Sequence, residues 1–133
     1  MHLRETPVQP TEHTDGLSPF CPRFQYAIEL VGRRWVGAVL RVLVTGPARF
    51  NELLAAIPGL SDRLLTERLR ELEREGIVTR TVAPCRPIRV TYELTECGRS
   101  LESIVEAIGT WSESWVALPD ELAPPPHPST SSA

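Results

Sequence analysis

The stretch ARFNELLAAIPGLSDRLLTERLRELEREGIVTR, Ala48 to Arg80, decides the fold. In its second half Leu64, Leu65, Leu69 and Leu72 fall at i, i+1, i+5 and i+8, which a 3.6-residue period gathers into one apolar stripe facing a core. The opposite side carries Arg63, Thr66, Glu67, Arg70 and Arg74. Ser61 is placed to cap the first turn of this helix and Gly76 to end the last. In the first half Phe50, Leu53, Leu54 and Ile57 make the stripe of a shorter helix, which Pro58-Gly59 breaks.

Two helices joined so tightly, the second with a free cationic face, follow the sequence plan of a helix-turn-helix. After Gly76 the period changes. IVTRTVA and IRVTYELT are β-rich runs, and the Pro-bracketed PCRP between them suits a hairpin loop, so a two-stranded wing follows the helix pair. Upstream, Cys21 and Pro22 open a first helix as cap and first residue, with Phe24, Ala27, Ile28 and Val31 at helical spacing. In RRWVGAVLRVLVTGP, Trp35, Val39, Leu40, Leu43 and Val44 give a second helix with Gly46-Pro47 as its stop. Downstream, Thr95 caps a long amphipathic helix expected from about Glu96 to Leu118, in which Leu101, Ile104, Val105, Ile108, Trp111 and Trp115 recur.

The expected fold is mainly α with a small β-wing, a winged helix-turn-helix dimerised by its N- and C-terminal helices. A body of this size spends its core on three helices and a hairpin, leaving Phe24, Ile28, Ile104, Ile108, Trp111 and Trp115 for a second copy. The chain has 133 residues, 41% hydrophobic and 23% charged, which fits one globular domain. That domain is placed at 20–118. Residues 1–19 form a disordered N-terminal arm and 119–133, PDELAPPPHPSTSSA, a disordered Pro/Ser-rich tail. Without a membrane-length apolar run or a signal-peptide pattern, a cytoplasmic location and no membrane partner are expected.

The net charge of −3 argues against nucleic acid only as a sum. Between Arg23 and Arg99 lie thirteen of the fourteen arginines but nine of the seventeen acids, a local +4, so the middle is basic and the flanks acidic. Cys21, Cys85 and Cys97 are too few and too scattered for a disulfide framework. No CxxC occurs, and His2, His13 and His127 sit in the arms, so neither a metal nor a cofactor is expected. Tryptophans at helical spacing are more often core or interface than a ligand pocket. No nucleophile arrangement and no Gly-rich phosphate loop suggests an enzyme.

Several passages together resemble the HxlR family of winged-helix regulators, relatives of the MarR group. They are Cys21-Pro22 opening the first helix; Leu30-Val31-Gly32-Arg33-Arg34-Trp35; Gly46 to Val78; Pro87 to Thr95, read as P-x-R-V-x-Y-x-L-T; and Gly98. The resemblance covers about Cys21 to Trp115. Two departures stand out: Gly32-Arg33-Arg34-Trp35 replaces a common Gly-Gly-Lys-Trp, and Cys97 replaces a small or apolar residue. The resemblance implies a homodimeric bacterial regulator on a pseudo-palindromic double-stranded DNA operator, most often a repressor. It also implies a response to electrophiles or oxidants through the cysteine that opens the first helix, Cys21.

The residues carry corresponding expectations. Arg63 and Arg70 suit guanine O6/N7, because the guanidinium fork matches both acceptors. Ser61, Thr66 and Arg74 complete the helix face, while Arg49 and the wing residues Arg86 and Arg89 suit phosphate or minor-groove contacts. Arg68 projects toward the apolar flank, where a structural hydrogen bond competes with a base contact. Cys21 sits at the positive end of a helix dipole beside Arg23, where thiolate is favoured over thiol; its ordinary use there is as an inert cap. The other effector is a small ligand held between the dimer helices. A solvated helix face is the commonest fate of a charge run, and a winged helix also serves as a protein–protein module without specific DNA binding. The salt dependence of DNA binding separates these readings.

Overall fold

The computed structural model describes residues 19–122. The elements are α1 (Pro22–Val31), α2 (Val36–Val44), α3 (Phe50–Ala56), α4 (Asp62–Arg74), β1 (Val78–Ala83), β2 (Arg89–Leu94), α5 (Glu96–Arg99) and α6 (Glu102–Trp115), then a 3-10 turn at Asp120–Leu122. This is a winged helix-turn-helix. Residues 1–18 of the arm expected at 1–19, the tail beyond Leu122, and the three histidines lie outside the described residues.

Helix α2 runs through the centre, with Val36, Val39, Leu40 and Leu43 each at most 1% exposed. Its β-branched residues weaken intrinsic helix propensity, and burial outweighs that. Leu53 of α3, Leu65, Leu69 and Leu72 of α4, and Ile77, Val78 and Leu94 at the base of the wing close around it. The strands pair antiparallel from Val78 opposite Leu94 to Ala83 opposite Arg89. Ala48 adds a bridge to the outer side of β2, its N–H donating to the Tyr92 carbonyl at 2.9 Å and its carbonyl accepting from Tyr92 N–H at 2.8 Å.

Where the chain stops and turns, the causes are local. Helix α4 ends in a Schellman arrangement: Gly76 takes φ +77°, its N–H donates to Glu73 O at 3.0 Å, and Ile77 N–H to Leu72 O at 2.9 Å. Thr95 ties the returning strand to that turn, donating from Oγ1 to Gly76 O at 2.6 Å and from its N–H to Ile77 O at 3.0 Å. Gly98 must be glycine because a Cβ would stand 2.2 Å from the Ile77 carbonyl oxygen.

Two expectations need correction. Trp35 belongs to no helix: it precedes α2 in the left-handed conformation, φ +76°. Its ring lies under the α3–α4 turn, 3.3 Å from where a Cβ on Gly59 would be, and the Arg34 guanidinium rests 5.2 Å from the ring centroid. The single helix from Glu96 to Leu118 is two helices. Thr95 caps only α5, accepting from Gly98 N–H at 3.1 Å, and Ser100 and Leu101 interrupt the run before α6 starts. Helix α6 then ends at Trp115, and Val116 is already extended. The 3-10 turn at Asp120–Leu122 follows in the last described residues.

No residue of α6 is buried. Leu101 and Val105 lean on the core and Arg41 lies against Gly109. The other side of the helix exposes Ile104, Ile108, Trp111 (59%) and Trp115 (75%), and α1 exposes Phe24 and Ile28. All six residues expected to meet a second copy are thus uncovered in the protomer.

Candidate nucleic-acid interface

Helix α4 presents three distinct sides. Leu65, Leu69 and Leu72 are buried. Arg63, Glu67, Arg70 and Arg74 follow at i, i+4, i+7 and i+11 and form a solvent-exposed stripe. Arg68, Glu71 and Glu75 make a flank turned toward α1 and the α1–α2 junction, and Leu64 is half-buried against the core.

That flank disposes of two of the helix's acids. Arg33 Nη1 lies 3.0 Å from Glu71 Oε1, and Arg68 Nη1 lies 3.2 Å from Glu71 Oε2. Arg68 Nε also donates to the Arg34 carbonyl at 2.8 Å. The Tyr26 hydroxyl donates to Glu75 Oε2. This hydrogen bond, with burial and the Glu75 charge, pushes the phenol above its ordinary 10.0, against a smaller pull from Arg33. With Glu71 and Glu75 so engaged, Glu67 is the acid within the stripe itself, while the exposed Asp62 and the half-buried Glu73 lie on the Thr66 side of the helix. Glu67 pairs with Arg63 at 3.6 Å where both side chains are at least half exposed, a contact that water screens and a stronger anion displaces. The stripe is therefore more cationic than the helix composition suggests. Arg68 has its structural role, with a side chain only 13% exposed.

The remaining expected residues surround the stripe. Ser61 caps α4 by accepting from Leu64 N–H at 3.1 Å and is exposed, at the end of the helix where N–H groups point outward. Thr66 is half-buried and its hydroxyl donates back to Asp62 O at 2.8 Å, which leaves its oxygen lone pairs and methyl group as its outward features. Arg49 caps α3, its N–H donating to Glu52 Oε1 at 2.8 Å, with its side chain exposed. Arg86 and Arg89 are exposed on the wing. Sequence reasoning passed over Arg80, exposed on β1 opposite Tyr92; its place in a β-rich run was the available signal.

The cysteines differ in setting. Cys21 is exposed and caps α1, its Sγ accepting from Phe24 N–H at 3.4 Å. Cys85 is exposed in the wing loop and its thiol donates to the Pro87 carbonyl at 3.2 Å. Cys97 is half-buried against the core. Among the described residues no three of His, Cys, Asp and Glu converge on a metal-sized site, and no helix is long and apolar enough to cross a membrane.

Residues 30–120 match the model of the HxlR-like helix-turn-helix family. The chain is 44% identical over 99 residues to the uncharacterized HTH-type transcriptional regulator YvaP of Bacillus subtilis (strain 168), a match covering 74% of this chain and 92% of that one. Diamide-treated YodB from B. subtilis superposes with a TM-score of 0.64 at 39% identity, over 76% of this chain and all of that one. The redox regulator HypR in its oxidized form superposes with a TM-score of 0.69 at 40% identity, over 74% of this chain and all of that one.

Proposed function

Since the chain belongs to the HxlR-like helix-turn-helix family, whose members are transcriptional regulators and not enzymes, we propose that it acts as a homodimeric repressor on a pseudo-palindromic operator. Each α4 enters a major groove with Arg63 and Arg70 at guanine edges and Ser61, Thr66 and Arg74 at neighbouring bases and phosphates. Arg49 holds the backbone beside α3, and Arg86 and Arg89 reach along the wing. Phe24 and Ile28 of α1 join Ile104, Ile108, Trp111 and Trp115 of α6 in the two-fold interface.

The observation that carries this reading is the α4 stripe. A merely solvated helix has no reason to direct Glu71 and Glu75 inward while leaving Arg63, Arg70 and Arg74 outward. The test is a salt titration with DNA from the promoter region of the protein's own gene. The logarithm of affinity should fall linearly with the logarithm of salt concentration, by about 0.9 per phosphate neutralised. Fragments captured by the protein should share an inverted repeat with half-sites about 10 bp apart, or a multiple. Salt-independent or absent binding leaves a protein–protein module instead.

The effector in this reading is an electrophile or oxidant acting at Cys21. The names of the solved relatives, diamide-treated for one and oxidized for another, point the same way. A quinone adds the thiolate at a ring carbon and takes up a proton to give the hydroquinone thioether. Diamide takes two electrons and two protons from two thiols, becoming the hydrazine as the S–S bond forms. Either product alters the start of α1 and with it the relation between the two α4 helices.

A further inference from the structure

Helix α1 carries three things along its length: Cys21 at its start, the exposed Phe24 and Ile28, and Tyr26 facing inward. Just past its end come Arg33 and Arg34. The inward groups all reach one flank of α4: Tyr26 bonds Glu75, Arg33 pairs with Glu71, and the Arg34 carbonyl receives Arg68, whose guanidinium returns to Glu71. Three contacts on successive turns of α4 define an angle as well as a distance.

Resting on the operator-binding reading above, we propose that Tyr26, Arg33 and the Arg34 carbonyl form a clamp on Glu75, Glu71 and Arg68. The clamp fixes α4 to α1 and so sets the separation of the two reading helices in the dimer. These are positioning residues: they meet α4 along its flank, beside the Arg63–Arg70–Arg74 stripe and not within it. For the Arg33 arm of the arrangement, stability alone gives a weak account. Arg33 is 45% exposed, and such pairs contribute little to folding free energy. A contact of low folding value that joins the junction at the end of the dimerising helix to the reading helix acts on geometry. Movement of α1 against its partner copy is passed to α4 directly through Tyr26 and through Arg33 and Arg34 of the α1–α2 junction.

The test compares the parent with Arg33→Gln, Glu71→Gln and Tyr26→Phe. The probes are a duplex selected by the parent from a random-sequence pool, the same duplex with one base pair inserted between half-sites, and a single half-site. The clamp requires that the variants bind the single half-site within about twofold of the parent while their preference for native over inserted spacing drops about tenfold. Equal losses on all three duplexes mean general structural damage, and unchanged spacing preference means no positioning; either overturns the clamp. Should Glu71→Gln fail to fold, the exposed Arg33→Gln decides. A parent without any spacing preference removes the two-headed operator reading, and the clamp with it.

Discussion

Replacing Trp111 by alanine gives the sharpest test of the proposed dimer. Trp111 is 59% exposed in the protomer. Taking about 250 Å² for a whole tryptophan side chain leaves about 150 Å² for a partner to cover, worth about 4 kcal/mol at ~25 cal/mol/Å². Alanine retains part of that contact, but a two-fold interface contains the residue twice. The net loss is about 5 kcal/mol, a rise of three to four orders of magnitude in the dimer dissociation constant. Sedimentation equilibrium across a wide concentration range reads this directly, and the melting temperature of the variant should lose its dependence on protein concentration. Val82→Ala, at another exposed apolar residue but on the wing, serves as control and should leave the dimer intact. A Trp111→Ala dimer whose dissociation constant stays within about tenfold of the parent's would place the interface elsewhere.

Arg63→Ala and Arg70→Ala should each cost roughly 1–3 kcal/mol on a selected operator and relax base preference at their own positions. Arg86→Ala should weaken all sequences alike in the same titrations, and parental affinity in both helix variants refutes the stripe. Diamide or a quinone should release DNA from the parent, from Cys85→Ser and from Cys97→Ser, but not from Cys21→Ser; release from the last assigns the switch to another thiol or a non-covalent ligand. Gly98→Ala should destabilise the fold by about 1–3 kcal/mol, read from chemical denaturation, because its Cβ meets the Ile77 carbonyl. Tyr26 holds its proton more tightly folded than unfolded, so stability should fall as pH rises beyond 10.0 into the range of its raised native value. Tyr26→Phe should lack that component of the alkaline decline, and identical pH profiles would contradict the hydrogen bond to Glu75.

Much of the fold is legible along the chain because its signals are local. The stripe of Leu65, Leu69 and Leu72, the cap at Ser61, the left-handed Gly76 and the β-branched runs after it each report on a few neighbouring residues. What the sequence hides is decided by distant partners. The apolar stripe begins only at Leu101, and Glu96–Ser100 carry too few apolar residues to show that they form a separate helix; α5 is held to the wing base through Thr95 and Gly98 while α6 lies on α2. The acids of α4 look alike in order, and only the arrival of Arg33 and Tyr26 separates Glu71 and Glu75 from Glu67. The bridge between Ala48 and Tyr92 joins residues whose neighbourhoods carry no common signal. Among the cation positions, the Arg63, Arg70 and Arg74 stripe is readable from spacing, whereas the inward role of Arg68 depends on a carbonyl 34 residues upstream.

The interruption between α5 and α6 also bears on how such a protein diversifies. Helix α5 is locked to the wing by a threonine and a glycine that tolerate little change. Helix α6 begins afresh after Leu101 with every residue at least partly accessible. In the proposed dimer, substitutions can therefore accumulate in α6, altering which copies recognise one another, without disturbing the reading head. Two duplicated genes differing mainly beyond this joint would keep the same DNA vocabulary while ceasing to form mixed pairs, a short route from one regulatory circuit to two insulated ones.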